Sequence, residues 1–255
     1  MYENFSNILV SRKGDICESH MKTINIVGTI CPNKFYEISK ENLIETHNNE
    51  NTKYLSHENI LCDIEPINFK IHNISQKWNN EKKLIINNSN ILGDNGILKL
   101  DVDHIDIPIA ETTINNLSFY DCTLLKIGDI VQFDIESILP ITVMNIGKNY
   151  AKHYLLNKNK GGGCYLEYHN TPHFHMPLND KANGYIILGK NINDICHLSA
   201  LKIPYGFAIY TKPNVIHCDG FLVGDYLVVY TVTDKYSTVL LKNDTGIVDV
   251  NIKQL

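Results

Sequence analysis

Apolar residues along this chain come in short runs, separated by clusters of Asn, Asp, Gly, Pro and Lys. Ile67, Phe69 and Ile71 alternate with Asn68, Lys70 and His72. That period of two gives a strand one apolar face. Residues 23–30 are rich in β-branched side chains and predict another strand. Residues 84–86, 97–102, 130–135, 140–146 and 151–156 read the same way. Residues 39–46 predict a short helix capped by Ser39. Residues 47–56 read as an Asn-rich loop, and 76–83 as a polar turn around Trp78. From Cys164 onward the strands crowd together, at 164–169, 173–176, 185–188, 197–203, 207–210, 215–217, 226–232 and 237–241. Turns rich in Gly, Pro and Asn separate them, which predicts an antiparallel sandwich or barrel. No heptad pattern or internal repeat is evident.

The chemistry concentrates in this second half. Pro172-His173-Phe174-His175 places two histidines two residues apart, on one face of a strand. His217 follows a Pro213-Asn214 turn signal. Three neutral imidazoles converging from two strands make a first-row transition-metal site. Glu167 and His169 lie one short loop before the pair and share strand parity, so both can face the same pocket. Asp180, five residues after His175, is the carboxylate placed to complete a ligand set.

This ordered set resembles the cupin superfamily. His173-Phe174-His175 matches the family's His-x-His. Residues 184–189 resemble the following strand with its terminal glycine, Gly189. Pro204-Tyr205-Gly206 matches Pro-x-Gly, and His217 matches the last ligand after a longer gap than usual. The family's acidic ligand falls near residues 179–183, where Asp180 is the only carboxylate and no glutamate stands: either Asp180 reaches the metal, or the site has three histidines and water, or no metal binds. The likeness spans residues 163–241. It implies an all-β fold, with a cupin-type antiparallel β-barrel (jelly roll) in residues 111–255. Residues 1–110 are then a further β-rich region, either a second β-domain packed on the cupin or a degenerate second cupin barrel. The resemblance also implies a divalent transition metal (Zn, Fe, Mn or Ni) on His173, His175, His217 and Asp180, and a homodimer. Its activities divide between metal-dependent sugar isomerases or epimerases and dioxygenases or decarboxylases, with non-catalytic sugar-binding cupins as the alternative. For isomerisation, Glu167 or His169 is placed to act as the catalytic base.

Composition narrows this only in part. The net charge of −5 argues against nucleic acid as a partner. Arg12 is the only arginine, so bidentate clamps on carboxylate or phosphate are not expected, and a neutral small molecule such as a sugar fits better. That ranks the isomerase or epimerase above the oxygenase. The seven cysteines are scattered without a CxxC pair, which suits reduced thiols. No signal-peptide pattern and no long apolar run is evident, so the expected location is cytoplasmic, without a membrane partner. His104 among Asp101, Asp103 and Asp106 reads as a solvated strand face. His197, between Cys196 and Leu198, reads as an ordinary strand residue.

Overall fold

A computed structural model describes residues 20–56, 72–75, 79–84 and 95–254. The described chain is all-β, and most strand pairs are antiparallel. A seven-stranded sheet runs in the order Met21–Ile30, Leu139–Ile146, Leu222–Val229, His173–Pro177, Phe207–Thr211, Cys122–Lys126, with Asn183–Gly184 also paired to Leu222–Val229. An eleven-stranded sheet contains Asp249–Lys253, His104–Ala110, Ile195–Leu201, Ile186–Ile192, Ile216–Cys218, Tyr165–His169 and Tyr236–Asn243 as consecutive neighbours. A four-stranded sheet holds Leu43–Thr46, Phe35–Ile38, Ile130–Phe133 and Thr52–Leu55. Strands from before residue 110 enter both large sheets. Met21–Ile30 pairs with Leu139–Ile146, and His104–Ala110 lies between Asp249–Lys253 and Ile195–Leu201.

The seven-stranded sheet is the middle layer, and side-chain alternation explains why. Phe174, Met176, Leu227, Val229, Ala208 and Tyr210 pack into one core with Tyr36, Ile38, Leu55 and Phe133 of the four-stranded sheet. Phe133 makes edge contacts with both Phe174 and Tyr210, at centroid separations of 6.1 and 5.7 Å. Burying each such ring stabilises by about 1.5–3 kcal/mol. The alternate residues, including Ile209, Tyr226 and Val228, enter a second core with residues of the eleven-stranded sheet such as Leu188 and Leu240. Phe174 therefore anchors its strand from behind, while His173 and His175 point forward between the two large sheets.

Four local expectations are corrected, the first being the polar turn at 76–83, where Asn79–Leu84 is a strand paired with Asn95–Lys99. Residues 39–46 form no helix. The Ser39 hydroxyl accepts from the Glu41 and Asn42 amides and donates to the Asn42 carbonyl, closing a turn, and Leu43–Thr46 returns as a strand against Phe35–Ile38. The expected loop at 47–56 contains the strand Thr52–Leu55, which pairs in parallel with Ile130–Phe133. The expected strand at 151–156 is a π-helical turn, Ala151–Leu155, in which Tyr150 and Tyr154 stack at 5.3 Å. A helix the periodicity did not reveal spans Ile114–Phe119, with the Thr113 hydroxyl accepting from the Asn116 amide at its start. The alternation at residues 67–71 lies outside the described residues. Among the described residues, no helix is long and apolar enough to cross a membrane.

Candidate metal centre

His169 ends the strand Tyr165–His169, and His173 begins the strand His173–Pro177. The turn between them carries the chain from one large sheet to the other. His217 sits in Ile216–Cys218, directly opposite Glu167 in the antiparallel register. The loop before it is held in place when the Asn214 amide donates to the His169 carbonyl at 2.7 Å. Asn214 takes a φ of 65°, a left-handed turn that asparagine tolerates better than most residues. A single backbone bond thus ties the His217 loop to the His169 strand.

The three rings converge. Ring centroids are 4.5 Å apart for His169 and His173, and 5.0 Å for each of these with His217. One ligand atom from each lies within 4.8 Å of the other two. All three side chains are buried.

The hydrogen bonds identify the protonated nitrogens. His169 Nδ1 lies 2.7 Å from the Thr171 carbonyl, His173 Nδ1 2.9 Å from that of Val229, and His217 Nδ1 3.0 Å from that of Val215. A carbonyl oxygen only accepts, so each Nδ1 carries the proton and each Nε2 keeps its lone pair. This is how metal-binding imidazoles are held: one nitrogen donates to a fixed acceptor and the other is left to the metal. His217 Nε2 is buried and makes no hydrogen bond among the described residues. The Thr231 hydroxyl stands 3.1 Å from His169 Nε2 and 3.4 Å from His173 Nε2.

The electrostatics keep the His169 and His173 rings neutral. Burial first, then the neighbouring His217, pushes His169 down to about 3. Burial, with repulsion from His169, His217 and His175, holds His173 well below the ordinary histidine range. Neutral imidazole is the form that binds metal, so the cluster of His169, His173 and His217 can hold a metal ion.

The remaining sequence candidates fall around this cluster. Glu167 Oε1 is 3.6 Å from His217 Nε2, and the Thr238 hydroxyl donates to Oε2 at 3.4 Å. His175 lies two residues deeper than His173, with ring centroids 5.2 Å apart. It is outside the converging trio and faces Asp219, whose Oδ2 is 3.7 Å from its Nε2. Asp180 is exposed on the turn after His173–Pro177 and takes no part in the cluster. His197 is half-buried and meets the edge of the Phe119 ring. The acidic segment around His104 is surface, with His104 paired to Asp106 and Lys253 reaching Asp106 as well.

Two polar neighbours of these histidines escaped the sequence reading. Asp219 follows His217 by two and lies one residue past the strand Ile216–Cys218, so carrying the alternation one residue on finds it. Thr231 follows the end of its strand, Leu222–Val229, where parity no longer applies. A cleft of about 390 Å³ lies over the turn between His169 and His173, lined by Glu136, Asn170, Thr171, Pro172, Pro213 and Asn214. Comparison of the chain with protein-family models, with curated proteins and with solved structures returns no match.

Proposed function

We propose that this protein is a metal-dependent, cupin-type enzyme that moves a proton on a small neutral molecule, as a sugar isomerase or epimerase does. One observation carries the reading: three buried imidazoles bring one ring nitrogen each within 4.8 Å of the other two, and each ring is fixed by an Nδ1–H bond to a backbone carbonyl. His169, His173 and His217 would hold the metal. A divalent ion held there would supply a Lewis acid able to polarise a carbonyl.

The protein's own groups supply the rest. Glu167 stands beside His217 with its carboxylate held by Thr238, close enough to the trio to take a proton from carbon next to a carbonyl and return it. The His169 ring is engaged through both nitrogens, which favours Glu167 as the base. The cleft over residues 170–172 lies beside the turn that joins His169 to His173.

The test is deuterium exchange from heavy water into a panel of aldoses and ketoses by the metal-loaded protein. Exchange at carbon next to the carbonyl supports the reading. Glu167→Gln should abolish exchange while keeping the metal. A metal-loaded wild type that exchanges nothing on the panel overturns the enzymatic reading and leaves a metal-binding module.

A further inference from the structure

The proposed metal set leaves His175, an interior polar residue, unused. His175 is 1% exposed, and neither of its ring nitrogens has a hydrogen-bond partner among the described residues. Leaving a buried polar group unsatisfied costs roughly 1–3 kcal/mol, and native structures seldom carry such a group without a ligand, ion or water to meet it. Its cross-strand neighbours, Ile209 and Val228, offer it nothing polar. Across from it, Asp219 Oδ2 is 3.7 Å from Nε2, beyond hydrogen-bond reach. Asp219 is itself positioned, because the Tyr165 hydroxyl donates to its Oδ1. Two side chains beside it keep some exposure to solvent, 19% for Glu167 and 9% for Asp219.

We infer that His175 and Asp219 form a second contact in the substrate pocket, binding a hydroxyl group adjacent to the oxygen held at the metal. The inference rests on the metal-site reading and names its substrate class: neutral compounds with adjacent hydroxyl and carbonyl oxygens. A hydroxyl both donates and accepts. It can donate to Asp219 Oδ2 and accept from the imidazole N–H, so one ligand oxygen can meet the unpaired His175 nitrogen and the carboxylate 3.7 Å from it. A ligand carboxylate would meet the Asp219 carboxylate and, nearby, that of Glu167. The pocket therefore selects against anions at this contact.

The test uses the full chain loaded with Mn(II) and reads binding from paramagnetic relaxation of ligand protons. The probes are hydroxyacetone, acetone, which lacks the adjacent hydroxyl, and lactate, which is anionic. Wild type should bind hydroxyacetone about tenfold more tightly than acetone, the factor for one hydrogen bond to a charged group, and more tightly than lactate. His175→Leu should bring the hydroxyacetone preference close to one with Mn(II) stoichiometry unchanged. His175→Gln, whose amide can still donate, should keep part of it.

Equal binding of hydroxyacetone and acetone by the wild type overturns the inference, as does tighter binding of lactate. So does loss of Mn(II) in His175→Leu, which would make His175 a metal ligand. The wild-type comparison decides even if the leucine variant does not fold. A wild type that takes up no Mn(II) sinks the metal reading itself, and a wild type that takes up Mn(II) but does not discriminate sinks only this step.

Discussion

Buried neutral histidines make the metal-free protein sensitive to acid, and the size of the effect follows from the site. In the unfolded chain a histidine titrates near 6.5, while burial pushes His169 down to about 3 and holds His173 well below its ordinary value. Below pH 6.5 the unfolded state therefore binds protons that the folded state refuses. Stability is full above the unfolded value and falls as the pH drops toward the folded one. Between pH 6.5 and roughly 5, each such ring costs about 1–2 kcal/mol, and the two together about 3 kcal/mol. That is a large share of the ~5–15 kcal/mol that holds a domain folded. The assay is urea unfolding of metal-free protein across this window, before most carboxylates titrate. His169→Gln should lower the stability at neutral pH yet flatten the pH slope by about half. Equal slopes in wild type and variant would refute the reasoning, since the buried ring could not then be the group that refuses the proton.

Two further substitutions probe the surroundings of the site. Asp180→Asn should leave metal content unchanged, because Asp180 is exposed on a turn outside the trio; a drop measured by elemental analysis would show that this turn closes over the metal. Gly189→Ala should lower Tm and weaken metal binding together. A Cβ there would come within 2.8 Å of Ile216 and 2.9 Å of Leu198, and Ile216 adjoins His217. Overpacking of this kind costs about 1–3 kcal/mol, and an unchanged Tm and metal affinity would show that the strand yields without moving the ring.

The site was partly legible because parity is local. His-x-His on a strand puts His173 and His175 on one face whatever the rest of the chain does, and the Pro213-Asn214 turn sets the start of the His217 strand. The same parity put Glu167 and His169 in the pocket. What parity lacks is depth. Whether His169 or His175 shares a centre with His173 and His217 depends on where the turn at 170–172 sits relative to the facing sheet, and that is tertiary. The strand-rich class followed from alternation, whereas the three-layer arrangement did not. Nothing in Phe174 or Tyr210 alone says that the far face of their sheet is covered by residues 35–55 and 130–133. The helical turn at Ala151–Leu155 was hidden because aromatic and leucine residues there suit a strand equally well, and stacking of Tyr150 on Tyr154 decides it.

His169, His173 and His217 are placed to share one metal ion. Metal content per chain, measured by elemental analysis after loading with Zn(II) or Mn(II) and removing the excess, tests it most directly. The account predicts one equivalent in the wild type and in His197→Ala, and little in His169→Ala or His217→Ala with their folds intact. Equal metal in all four proteins, or none in the wild type, would contradict it.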